Sequence, residues 1–181
     1  MTRHIHPLLV AAIALAAVLL SRPASAGPPL LCFPFDIGSA RSLPMGQGNW
    51  HETDARYDVS HLVADTLGLL TPTTPVTVRM ETMRRATIYA AAHPKLAAAL
   101  LGELQARAAA PQPGVAALSV FDFGYLVESY KEAKFLFKEP LTTVDRIDGY
   151  QLVLKAHALQ NDVAMQHAAR LIVDGYPRAT K

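Results

Sequence analysis

Pro94 interrupts an otherwise helix-forming run from Val76 to Ala110, and that interruption sets how the chain can fold. Before it, Val76, Met80, Met83, Thr87 and Ala90 recur on one stripe, with Glu81, Thr82, Arg84 and Arg85 on the opposite face. The stripe predicts a helix packed on a core. The charged face reads as solvated, because Glu81 precedes Arg84 and Arg85 at the spacing that supports an exposed helix by about 0.2–0.5 kcal/mol per pair. Proline disfavours helix in the residue before it and is well placed as the first residue of a new one, so the chain is expected to turn at His93-Pro94. Leu96, Leu100, Leu101 and Leu104 then form a second apolar face, with Ala97, Ala98 and Ala99 allowing a neighbour to approach closely. A helical hairpin is the expectation.

The N-terminus carries Arg3, an uncharged apolar run from Leu8 to Leu20, and Ala24-Ser25-Ala26, which has the small-x-small form of a signal peptidase site. Residues 1–26 therefore read as a signal peptide, and the chain as exported to the periplasm or beyond. The run is shorter than the roughly 20 apolar residues of a membrane span. Removing 26 of 181 residues leaves 155, enough for one domain with its own core. Arg3 and Arg22 leave with the leader, so basic and acidic residues balance at 15 each. That balance gives no electrostatic case for nucleic acid or for a membrane surface after cleavage.

Cys32 is the single cysteine, so an intramolecular disulfide is excluded. Two fates remain, a buried thiol or an intermolecular bond linking a homodimer. Leu31 stands where a lipoprotein signal places a small residue, so lipidation is not expected. Residues 27–56 hold Pro28, Pro29, Pro34 and Pro44 with Gly38, Gly46 and Gly48, a density that rules out a long helix. Leu30, Leu31, Phe33, Phe35, Ile37 and Trp50 make the segment apolar enough to dock as an extended strap across a helical domain at 57–177.

Within that domain, Val59, Leu62, Val63, Thr66, Leu67 and Leu70 follow helical spacing behind Asp58, a residue able to cap a helix, and Pro72 and Pro75 end the pattern. Phe123, Leu126, Val127, Tyr130, Ala133 and Phe137 mark another helix, whose Gly124 implies a close neighbour. Two more helices are expected near 148–160 and 162–174, divided at Asn161 and closed by Gly175 and Pro177. The fold class is all-α: about six helices as antiparallel hairpins, in a stack or a compact bundle.

The final pair, with Tyr150, Leu154 and Ala158 facing Ala164, Ala168 and Leu171, resembles a tetratricopeptide unit over about thirty residues. The mature chain also resembles a group of predicted exported bacterial proteins of no established activity, through Leu31-Cys32-Phe33-Pro34-Phe35-Asp36-Ile37-Gly38-Ser39-Ala40, Leu69-Leu70-Thr71-Pro72, Val78-Arg79-Met80-Glu81-Thr82 and Phe123-Gly124-Tyr125-Leu126-Val127-Glu128. That resemblance implies bacterial export and assigns no catalytic residue.

The chemistry-bearing residues are few. His61 and Asp65 lie one helical turn apart with His51 just upstream, the sharpest arrangement for a metal, although on the face away from the apolar stripe a solvated pair is the plainer reading. Arg84 and Arg85 suit an acidic peptide or ligand if they line a concave face. No hydrolase elbow, zinc-protease helix or redox cysteine pair is present, and no catalytic residue, metal or cofactor is assigned. Two functions follow as expectations: an exported helical scaffold that binds another protein through a groove or through the strap, or a small hydrolase or ligand-binding protein with a pocket between strap and helices. Cys32, Asp36, Trp50, His51, His61 and Asp65 are the further binding candidates.

Overall fold

The computed structural model describes residues 27–139 and 141–175. The leader at 1–26 and Pro177 lie outside the described residues. Among the described residues there are six α-helices, α1 (Leu62–Leu69), α2 (Val76–Ala90), α3 (Pro94–Ala109), α4 (Ala116–Glu132), α5 (Gly149–Gln160) and α6 (Val163–Gly175), with short 3₁₀ turns at Val59–His61, Ala133–Phe135 and Thr142–Arg146. No strand occurs among the described residues, and no described helix is long and apolar enough to cross a membrane.

Local chemistry sets the boundaries. The Asp58 side chain accepts from the Ser60 N–H and caps a short 3₁₀ turn, Val59–His61, that leads into α1. Pro94 is the first residue of α3. Asp148 caps α5 by accepting from the Gln151 N–H, and Asn161 ends it in the left-handed conformation that Asn tolerates. Asp162 accepts from the backbone N–H groups of Ala164 and Met165 at the start of α6.

α4 is the central element. Every residue from Val120 to Tyr130 is buried, and the helix packs against α2, α3, α5 and α6. Its closest neighbour is α5, and glycines face each other there. A Cβ on Gly124 would stand 2.6 Å from Leu152 Cβ and 2.7 Å from the Gly149 carbonyl oxygen, while one on Gly149 would stand 2.5 Å from the Gly124 carbonyl oxygen. The backbones meet where a side chain would hold them apart, which accounts for a helix-weakening glycine in the middle of α4.

α2 departs from the sequence expectation. Its supposedly wet face is covered: Glu81 and Thr82 are fully buried, Arg84 is 2% exposed and Arg85 is half-buried. Residues 27–56 lie over it without helix or strand, burying Leu30, Leu31 and Leu43 in the core and packing Phe35, Met45 and Trp50 against it. A segment so rich in proline cannot satisfy its own backbone in a ladder, so the polar groups of α2 do so. Arg84 donates to the carbonyls of Leu31 at 3.0 Å and Trp50 at 3.1 Å, Arg85 to that of Leu43 at 2.5 Å, and the Tyr89 hydroxyl to that of Pro44 at 2.8 Å. Glu81 accepts from the Phe35 N–H at 3.0 Å, and the hydroxyls of Ser42 and Thr82 meet at 3.0 Å.

Glu81 also takes both Arg84 Nε (2.8 Å) and Nη2 (2.9 Å), together with Arg85 Nε (2.6 Å). Burial alone would push its carboxyl up; Arg84, Arg85 and the Phe35 N–H outweigh that and hold it below the ordinary glutamate range.

Two outcomes test this packing. Gly124→Ala should lose about 1–3 kcal/mol to overpacking, despite the better helix propensity of alanine, as read by equilibrium urea denaturation; unchanged or higher stability would show that α4 and α5 do not touch there. Arg84→Met should cost about 3–5 kcal/mol, because it strips a buried carboxylate of its main partner, and limited proteolysis should then cut within 33–49. Arg85→Met, at the half-exposed position, should cost distinctly less. Equal losses would contradict the burial difference.

Candidate functional site

The residues singled out from sequence fall into separate places: Arg84 and Arg85 share Glu81, Arg84 meets the Trp50 carbonyl, His51 packs on Trp50 and Cys32 lies near Arg84, whereas Asp36, His61 and Asp65 have local partners of their own. Asp36 is exposed and accepts the Gly38 N–H within its own turn. Trp50 is half-buried with its ring 4.7 Å from His51 and 6.4 Å from Phe135, centroid to centroid. His61 is exposed, 3.7 Å from Asp58, whereas Asp65 accepts from the Tyr57 hydroxyl at 2.8 Å. The pair thus has separate partners, and no group of three metal-ligating side chains occurs among the described residues. Cys32 is half-buried and free, its thiol pushed up by burial and by the nearby Glu132, so it is a poorer nucleophile than an ordinary cysteine. Arg84 turns all its guanidinium nitrogens, and Arg85 its Nε and Nη1, to Glu81 and the strap carbonyls.

Two other arginines, Arg79 and Arg107, share one concavity. A cleft of about 410 Å³ opens between the end of α1 and its following turn on one side, and the end of α3 with the linker into α4 on the other. Arg79, one turn before Arg84 on α2, forms part of its floor at 2% exposure. Its Nη1 meets Asp122 Oδ2 of α4 at 2.5 Å, its Nε donates to the Thr74 carbonyl at 3.0 Å, and its Nη2 to the Thr71 carbonyl. The pair therefore ties the turn after α1 to the central helix.

Asp122 is left incomplete. Its Oδ1 is buried without a hydrogen-bond partner among the described residues. Burial pushes its carboxyl up to about 6, with Arg79 and more weakly Arg107 pulling it down. Arg107 is exposed, with one long contact from Nη1 to the Leu67 carbonyl at 3.4 Å. Gln112 and Ser119 also line the cleft, and neither side chain has a hydrogen bond among the described residues. The lining holds no histidine, lysine or cysteine; Asp122 is its one carboxylate.

Sequence reasoning missed this site. Its signal was a lone carboxylate between Phe121 and Phe123 on an aromatic helix, with Arg79 set between Val78 and Met80. Such a charge is buried only with a partner.

A second buried acid lies under the strap. Glu132 accepts the Leu30 N–H at 3.0 Å through Oε2, while its Oε1 and the fully buried Tyr125 hydroxyl lack partners among the described residues. Pro29 and Gly175 crowd the site: a Cβ on Gly175 would stand 2.4 Å from Glu132 Oε1 and 2.8 Å from Pro29 Cδ. Burial pushes the Glu132 carboxyl up to about 8, against the Leu30 N–H and with help from Glu128.

Comparison with known proteins adds nothing to this geometry: no family model matches the chain, and no curated protein and no solved structure matches it.

The raised Glu132 carboxyl fixes a pH dependence. Between its ordinary 4.5 and about 8 the unfolded chain releases a proton that the folded one retains, so this group's contribution to stability falls as pH rises through that window. Urea midpoints at pH 5 and pH 8 should show the stability of Glu132→Gln gaining on the wild type as pH rises. Parallel behaviour of the two proteins would refute the shift.

Proposed function

We propose that this protein is an exported helical recognition module, not an enzyme, and that it engages a polar, hydrogen-bonding group of its partner in the cleft above Arg79 and Asp122. The observation that carries this reading is the cleft's polar lining: a buried ion pair with an unused carboxylate oxygen at its floor, and Arg107, Gln112 and Ser119 with unused hydrogen-bonding capacity around it. Donor groups held on helix ends around a concavity of this size are suited to ligand recognition. Export rests on the leader sequence at 1–26. A pocket between strap and helices is the weaker alternative, since Asp36, His51 and His61 each have separate local surroundings.

The test is a screen of small polar fragments, amides, alcohols, amines and acids among them, against ¹⁵N-labelled protein by chemical-shift mapping. Shifts are expected to cluster on the amides of Gly68, Thr71, Arg107, Gln112 and Ser119, and to vanish in Ser119→Trp, which fills the cleft. A panel that leaves those amides unmoved would overturn the reading.

A further inference from the structure

We infer that the group recognised in the cleft is a neutral primary carboxamide on an aliphatic body, either a small-molecule amide or the side chain of a partner's Gln or Asn. This deepens the recognition reading above and rests on it.

The floor calls for a donor. Asp122 lines the cleft at 3% exposure, and its Oδ1 is buried with no hydrogen-bond partner among the described residues. An ionised carboxylate oxygen only accepts, so the group that completes it must bring an N–H or an O–H. Arg79, the nearest cation, is turned elsewhere: Nη1 to the other Asp122 oxygen, Nε to the Thr74 carbonyl and Nη2 to the Thr71 carbonyl.

Charge narrows the choice of donor. Arg79 and Asp122 neutralise each other, and Arg107 leaves the lining with one positive charge. An ammonium or guanidinium would carry its donor in against that charge. A carboxylate would bring no proton to Oδ1 and would set a second negative charge beside Asp122. A neutral donor avoids both penalties.

The rim selects among neutral donors. Arg107 is exposed with one long contact at 3.4 Å, and the Ser119 and Gln112 side chains have no hydrogen bond among the described residues, so all three have donors for an oxygen. A primary amide carries N–H donors and a carbonyl acceptor on different atoms of one plane, and can turn the first to the floor and the second to the rim. A hydroxyl must serve both from one atom. Leu67, Leu70, Val115 and Leu118 supply hydrocarbon, and no aromatic ring lines the cleft, so the body that fits is aliphatic; a cleft of about 410 Å³ admits a ligand of that size.

Chemical-shift titration of the wild-type protein at about pH 7.5, above the value of about 6 to which burial pushes the Asp122 carboxyl, tests this on nearly one carbon skeleton. The probes are 4-methylpentanamide, 5-methylhexan-2-one, 4-methylpentanoate, 4-methylpentan-1-ol and 4-methylpentylamine, together with a hexapeptide carrying Gln between two leucines and its counterpart with Glu. The primary amide, from one source or both, should bind about tenfold or more tightly than its counterparts, as expected where a buried acceptor gains its donor. The ketone is the decisive comparison, because it keeps the shape and the carbonyl of the amide and lacks only the N–H groups. The Asp122 carboxyl ¹³C resonance should move with the amide and not with the ketone, and Ser119→Trp should abolish both binding and shift. Binding of 4-methylpentanamide alone identifies the source as a small molecule, and binding of the Gln peptide alone as a partner's side chain; either supports the inference. Ketone, acid, alcohol or amine binding as tight as the amide overturns it. So does silence from both amides where the fragment screen has found other cleft ligands, an outcome that leaves the recognition reading in place. Absence of any cleft ligand in that screen removes the recognition reading and this inference with it.

Discussion

Glu81 is the carboxylate on which the arrangement of strap and helices depends. It is fully buried, and its two oxygens accept from Arg84, from Arg85 and from the backbone of Phe35. A buried charge of this kind contributes little net stability by itself, because desolvation offsets most of the Coulombic gain; removing one member is what costs. Its value lies in orientation. With Glu81 holding both guanidiniums, their other donors point at the carbonyls of Leu31, Leu43 and Trp50, three places along a segment that has no secondary structure of its own. The carbonyls of an irregular chain become buried and satisfied together, and Leu30, Leu31 and Leu43 can enter the core.

That coupling explains why α2 is buried on nearly every side although its composition is amphipathic. One face meets α4 and the other meets the strap, so the helix behaves as an interior element with a polar seam. α4 is interior for a different reason: aromatic and aliphatic side chains surround it, and Gly124 lets α5 approach to backbone contact. The two central helices thus pack by unlike means. One is held by charge-assisted hydrogen bonds that fix direction, the other by dense apolar contact that supplies most of the driving force.

Much of this was legible in the sequence and some of it was not. Apolar spacing marked all six helices, and Pro94, Asp148 and Asn161 marked boundaries, because helix period and capping are local properties. The face of α2 was misread because the same Glu81–Arg84–Arg85 spacing serves a wet helix surface and a buried clamp equally well. What separates them is the set of strap carbonyls 34 to 53 residues away in the sequence, which no window over α2 contains. The cleft stayed invisible for a related reason: Arg79 and Asp122 are 43 residues apart, and Arg107 reaches their neighbourhood from the end of a third helix. His61 and Asp65 show the converse, since correct spacing on one helix brought them no shared partner.

α2 carries two arginine–carboxylate assemblies, and their saturation distinguishes their roles. In the first, every oxygen of Glu81 and every guanidinium nitrogen of Arg84 has a partner, and the strap closes over them. In the second, Asp122 keeps an oxygen without a partner among the described residues and the assembly borders open space. Glu132 also keeps an oxygen without a partner among the described residues, yet Pro29 and Gly175 press against it, so lack of a partner alone does not make a site. A polar group left incomplete is costly wherever it is buried. The incomplete group with an opening beside it is the one whose cost a ligand's hydrogen-bond donor would remove, which is why recognition is proposed at the Arg79 end of α2, whereas the Arg84 end holds the strap.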